Sequence, residues 1–217
     1  MGRTTEYGDK RDDERGAAAV EFALVVPILV ILLLGIIEMS FLMRDYSSLS
    51  SSVRAGARTA SAAADAGPGT CEASDPAPPP CTPASAPAFA QAAADTIQQA
   101  GTAMPREDIE WLMVYEADTN GFPLGQTTLT CSSNCVIYVW DAGLGKFRYS
   151  SGNWASAGVN ACVNDPGRHT VGVGMQANHT WLTGMFGDGM VMQERTVMQF
   201  EPLEADRCKP GTANAHA

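Results

Sequence analysis

Cysteine is missing from the first seventy residues, although six follow: Cys71, Cys81, Cys131, Cys135, Cys162 and Cys208. Positive charge is also scarce, with Lys and Arg totalling 14 against 24 Asp and Glu, for a formal net charge of −10. A nucleic-acid binder shows a basic patch or stripe, so that class is excluded. No G-x-S-x-G nucleophile elbow occurs. His169 and His179 are not at the four-residue spacing of a helical zinc pair. His169, beside Arg168 and close to Asp165 in "NDPGRHT", reads as surface polar chemistry rather than as a general base. No repeat of fixed period is visible. The residues thus point away from an enzyme, and no pattern calls for a cofactor or a metal.

What the chain does have is one long apolar block, residues 17–43, with an uncharged run over residues 22–37 at its centre. A bilayer core about 30 Å thick needs about 20 helical residues, so this block is long enough to span. Glu21 then lies near one face of the bilayer and Glu38 near the other, where Glu38 is expected to be solvated or interfacial. All the cysteines follow the block. Even-numbered cysteines on one side of a membrane segment suit an oxidising compartment and a disulfide framework. A zinc site is the weaker reading, because Cys131-x-x-x-Cys135 has no second close Cys or His pair. Lys and Arg are nearly balanced across the block, so the cysteines decide the orientation: N-terminus cytoplasmic, bulk of the chain outside.

Five regions follow. Residues 1–16 are a charged leader, read as disordered and cytoplasmic. Residues 17–43 are a transmembrane helix, and residues 44–66 continue it outside. In that continuation Leu42, Tyr46, Leu49, Val53, Gly56 or Ala57, Ala60 and Ala64 recur at helical spacing. This stripe is expected to touch the helix of another subunit. Pro27 is expected to kink the membrane half rather than break it. Residues 67–87 form a Pro- and Ala-rich linker of semi-extended character. Residues 88–217 form an outer α+β domain: a helix over 88–100, a strand over 109–117, a hairpin over 136–150, and strands over 170–181 and 190–202. Strands joined by hairpins imply an antiparallel sheet with the helices on one side. Trp111, Tyr138, Trp140, Phe147, Tyr149 and Trp154 are read as core and cross-strand pairs, the alternative being an exposed binding face.

Six cysteines allow fifteen pairings. Proximity within the Pro-rich loop favours Cys71–Cys81. Cys131–Cys135 and Cys162–Cys208 complete the expected set, which the sequence by itself leaves open.

The start of the apolar block carries the sharpest signal. Arg15-Gly16, four small apolar residues and then Glu21-Phe22 precede the hydrophobic helix. This order resembles the class III signal of type IV prepilins, in which a membrane aspartyl peptidase cuts after the glycine. The resemblance implies a cut between Gly16 and Ala17, with Glu21 and Phe22 near the new terminus. Cleavage would expose an α-amino group on Ala17, largely protonated at neutral pH. A charge buried alone in a membrane bundle costs about 2.5–3.5 kcal/mol on insertion scales. Glu21 of one subunit would offset that cost by accepting the amine of a staggered neighbour. The other reading of Glu21 is a carboxylate that snorkels to the headgroups.

The wider string is similar to the TadE-like family of the tight-adherence (Flp) pilus system. The matching residues are Arg15, Gly16, Val20, Glu21, Phe22, Ala23, Leu24 and Pro27, then Arg54, Gly56, Ala57 and Arg58, with Phe200-Glu201-Pro202 as a family-like ending. "CVIYVWD", the Gly152–Trp154 "GNW" and Cys162 look like actinobacterial members. The leader departs from the family in being rich in acids.

The resemblance implies a minor pilin or pseudopilin, single-pass in the bacterial cell membrane and able to enter the pilus, that is not an enzyme. Its expected partners are the prepilin peptidase, membrane lipid and other Tad/Flp pilus subunits contacted through the N-terminal helix. The competing expectation is an uncleaved, signal-anchored exported domain that acts as a binding module at the cell surface.

Overall fold

The computed structural model describes residues 9–71, 75, 81–204, 207 and 208. One helix, α1 (Asp9–Ala62), dominates it. At 1.5 Å per residue its 54 residues extend about 80 Å. Helical backbone therefore begins inside the segment read as a disordered leader, of which residues 1–8 lie outside the described residues. Pro27 sits within the helix without ending it. The helix closes at Ala62 rather than at residue 66, giving way to turns before Gly67-Pro68-Gly69.

Beyond a connector come α2 (Ala88–Ala100), β1 (Ile109–Glu116), β2 (Cys135–Asp141), β3 (Lys146–Asn153), β4 (Thr170–His179) and β5 (Met190–Gln199). They form an α+β fold whose sheet has the order β3-β2-β1-β4-β5, every neighbouring pair antiparallel. Strand β1 takes the centre, pairing Val114 with Val136 on one side and with Val173 on the other.

Alternation along β1 assigns its two faces. Leu112 and Val114 join the main core under the helices, whereas Met113 and Tyr115 join a smaller cluster on the opposite face with Ala117 and Cys135. Strand side chains alternate with a period of two, which is why a single strand serves both clusters. Gly172 of β4 makes room for the Tyr115 ring: a Cβ there would lie 2.3 Å from ring carbon Cζ.

The stripe predicted on the outer half of α1 exists, but its partner is its own domain. Leu49, Val53, Ala57, Ala60 and Ala64 are buried in the main core together with Val171, Val173 and Met175 of β4. From Leu49 to Ala64 the stripe is thus not available for another subunit's helix, whereas Tyr46 at its start stays 49% exposed. Full burial of a Val or Leu side chain is worth about 1.5–3 kcal/mol, and this seam fastens the rod to the sheet. Gly56 lets α2 approach, since a Cβ there would lie 2.6 Å from Ile97 Cδ1. Thr59 and Thr96 share a hydrogen bond of 3.0 Å across the same contact.

The described ends of the 67–87 connector are tied together. Its two ends pair with each other: the Gly69 N–H donates to Ala86 O (2.7 Å), the Cys71 N–H to Thr82 O (2.9 Å) and the Ala88 N–H to Gly67 O (2.9 Å). Thr82 then hydrogen-bonds Tyr138 on β2 and donates to Gln91 on α2. Disulfides join Cys71 to Cys81, Cys131 to Cys135 and Cys162 to Cys208.

Of the six aromatics read as core and cross-strand pairs, three lie in the core and three pack against it. Tyr138, Phe147 and Trp154 are buried. Phe89 meets Trp154 edge-on at 5.0 Å and Phe200 at 5.3 Å between ring centres. Trp111, Trp140 and Tyr149 are partly buried against these clusters.

Candidate functional site: the membrane helix and its collar

Two zones of α1 stand out. The first is its N-terminal half. From residue 16 through residue 33 every side chain but the half-buried Val26 is exposed, including Val20, Phe22, Leu24, Ile28 and Leu32. The most apolar stretch has a mean hydropathy of 2.9 and none of it is buried within the chain, so this helix is long and apolar enough to cross a membrane. In water such a sleeve would be unstable, because monomers rarely expose large contiguous apolar patches. Gly16, Ala17, Glu21 and Phe22 all lie exposed at its start. Nothing approaches within 4 Å of where a Cβ on Gly16 would sit. The glycine is therefore not demanded by packing inside this chain.

The second zone is a collar where the C-terminal α+β domain grips α1 just beyond the apolar sleeve. Two segments that are remote in sequence supply it. From the loop after β4, the Leu182 N–H donates to Glu38 Oε2 (3.0 Å), and Thr183 donates to Glu38 Oε1 through both its N–H (2.6 Å) and its hydroxyl (2.7 Å). Two helical turns further on, His179 at the end of β4 places Nδ1 2.7 Å from Asp45 Oδ2. The α2–β1 connector completes the ring: Arg44 donates to Ala103 O, and the Ala103 N–H donates to Ser48 Oγ (2.7 Å). Tyr46, beside these residues, hydrogen-bonds Glu194 of β5, and that carboxylate raises the phenol above its ordinary value of 10.0.

Glu38 is accordingly not solvated. It is only 1% exposed, and three donors satisfy a carboxylate that would otherwise be costly to bury. The sequence offered no sign of this, since its partners lie more than 140 residues away. His179 was missed for the same reason. It is buried at 3% exposure, with Nε2 lacking a partner among the described residues.

The other residues considered for chemistry do not converge. His169 Nδ1 lies 3.3 Å from Glu116 Oε1 at the far end of β4. Asp165 braces its own turn, accepting from Asn160 (3.0 Å) and from the Gly167 N–H. Those bonds, with Asn160 the strongest influence, hold its carboxyl below the usual 3.8. Cys71, Asp75 and Cys81 cluster closely enough to suggest metal ligands, but both sulfurs are committed to a disulfide. A cysteine ligates such an ion as its thiolate, which neither sulfur of a disulfide can supply.

Comparison with known proteins agrees with the placement of these two zones. Residues 16–58 match the family model described as TadE-like protein, a match that starts at Gly16 and ends at Arg58. No curated protein and no solved structure matches. The chain therefore carries a TadE-like segment, laid out on a helix whose first half is long and apolar enough to cross a membrane and whose second half packs into the C-terminal α+β domain.

Proposed function

We propose that the protein is a minor pilin or pseudopilin of a Tad/Flp-type pilus or a related secretion machine: a single-pass membrane subunit trimmed by prepilin peptidase between Gly16 and Ala17, with its outer domain extracytoplasmic. The supporting observation is the division of α1. The apolar stripe of its second half packs into the chain's own core under α2 and the sheet, while its first half offers a long exposed apolar surface with Glu21 at the start. Such a helix has lipid, or the helices of other subunits, as its natural surroundings. In that role the protein works by assembly rather than by catalysis, and its partners are the peptidase and neighbouring pilus subunits.

Glu21 has a defined task in this reading. After cleavage it neutralises the α-amino group of Ala17 on a staggered neighbour, and so sets the axial register between subunits. The pairing replaces two separately buried charges with one ion pair, which is far cheaper in a low-dielectric bundle.

The mature N-terminus tests the proposal. Mass spectrometry of protein recovered from envelopes should find Ala17 first. Gly16→Ala should block the cut without affecting the fold, because no neighbour crowds that Cβ. Glu21→Gln should leave insertion and cleavage intact and impair recruitment into the assembly. A functional protein that keeps Met1 or Gly2 as its terminus would overturn the processing and favour a signal-anchored surface binding module.

A further inference from the structure

The loop joining β4 to β5, residues 180–189, has the sequence "TWLTGMFGDG", with Asp188 its one charged residue. It does not turn back over the sheet. It runs alongside α1, where Phe186 lines an open groove of about 700 Å³ with Leu32, Ile36 and Met39. Leu182, Met185 and Phe186 are 69%, 48% and 53% exposed. Three large apolar side chains on one short loop, none of them covered, is an unusual expense for a surface turn in water. They stand beside the part of α1 whose own Ile31, Leu32 and Ile36 are equally bare.

The loop is held in that position. Glu38 accepts from the backbone N–H groups of Leu182 and Thr183 and from the Thr183 hydroxyl. Trp181 packs edge-on against His179 at 4.8 Å and meets Phe186 at 5.3 Å. The loop's apolar tip therefore continues the sleeve of α1 sideways at the level of Leu32 to Met39, while Trp181 sits a step nearer the domain. Tryptophan is enriched at that depth of a bilayer, where one edge of the ring is wet and the other apolar.

We infer that this loop is a second membrane contact: Leu182, Met185 and Phe186 enter the outer face of the same bilayer that α1 crosses, with lipid acyl chains as their ligand. The inference rests on α1 spanning a bilayer, as in the proposed function. Continuity of the two apolar surfaces argues for lipid over a second protein, because a helix cannot be immersed to the level of Leu32 and Ile36 while Phe186, against the same groove, remains in water. Glu38 then has a reason to lie in a membrane-proximal helix. It fixes the loop at the depth where its apolar side chains meet the acyl chains, and it does so with its own charge fully hydrogen-bonded. A domain on one helix can swivel and tilt, and a second contact to one side of the rod sets its rotation relative to the membrane plane.

Photo-crosslinking of the full-length protein in phosphatidylcholine–phosphatidylglycerol nanodiscs tests this. p-Benzoylphenylalanine is placed singly at Phe186, at Leu32 within the sleeve, and at Leu144, an exposed side chain in the β2–β3 turn. None of the three side chains is covered by the rest of the chain, so folding is not at stake. Lipid adducts identified by mass spectrometry should form at Phe186 and at Leu32, and at least tenfold less at Leu144. Adducts at Leu32 with none at Phe186, or a Phe186 adduct to a second copy of the chain, would overturn the loop contact while leaving the anchor intact. Absence of lipid adducts at Leu32 would overturn the anchor itself, and the loop contact with it.

Discussion

His179 Nδ1 lies 2.7 Å from Asp45 Oδ2, joining the last residue of β4 to the first turn of α1 beyond the apolar sleeve. Both groups are largely buried, at 2% and 16% side-chain exposure. Asp45→Ala would leave the imidazole with neither nitrogen paired, because Nε2 already has no partner among the described residues. A buried polar group left unsatisfied costs about 1–3 kcal/mol. Thermal unfolding followed by near-UV circular dichroism should show a drop of several degrees in Tm, with far-UV helicity of α1 largely kept. An unchanged Tm would mean that the collar adds nothing to stability.

The contact between Gly172 and Tyr115 makes a sharper prediction. A Cβ at residue 172 would lie 2.3 and 2.4 Å from ring carbons of Tyr115, which is fully buried and held through its hydroxyl to Gly121 O (3.0 Å). Neither side can retreat. Gly172→Ala should cost about 1–3 kcal/mol by overpacking, whereas Gly35→Ala, which meets nothing within 4 Å, should be neutral. Chemical denaturation of the two variants in detergent checks the contrast.

The disulfides should rank by the loops they close. Cys162–Cys208 spans 46 residues, Cys71–Cys81 spans 10 and Cys131–Cys135 spans 4. On the chain-entropy scale the longest is worth roughly 4 kcal/mol and the middle one roughly 3 kcal/mol. Replacing each pair by serines should lower stability in that order. Urea midpoints that place the Cys131–Cys135 variant as the least stable would contradict the entropic account.

Asp141 gives a pH dependence. Its carboxylate accepts from the backbone N–H groups of Leu144 (3.0 Å) and Gly143 (2.9 Å) and pairs with Arg148 (2.9 Å). The Leu144 bond leads these influences in holding the carboxyl below its ordinary 3.8. A folded-state value below the unfolded one adds stability at neutral pH, and that stability is lost as pH falls from about 4 through the depressed value. Asp141→Asn should therefore flatten the acid limb of the stability–pH curve. Equal acid sensitivity in both proteins would show that other carboxylates dominate it.

How much was legible in the sequence varies by element. The helix over Ala88–Ala100 was readable because local signals agree: an apolar period and a Gly at its end. The strands were readable from alternation, to within two residues at most starts and three at most ends, as at β1 (Ile109–Glu116). The helical stripe from Leu49 to Ala64 was also visible, but not what it faces. A pattern of burial names no partner, and here the sheet of the same chain reached it first. Aromatic placement followed the core expectation, as with Trp154 between Phe89 and Phe200.

The sequence by itself determined what depends on neighbours along the chain: a membrane-length apolar run, the Gly16–Phe22 stretch at its start that falls in the TadE-like match, the helix and strand periods, and an even set of cysteines after that run. Tertiary structure alone decided what depends on residues brought together from afar. It buried Glu38 beneath Leu182 and Thr183, set His179 against Asp45, and hydrogen-bonded the two ends of the Pro-rich linker to each other. The physical reason is the same in each case. Periodicity and composition report how a residue prefers to be solvated, whereas the partner of a buried charge is set by which loop the folded sheet delivers to it.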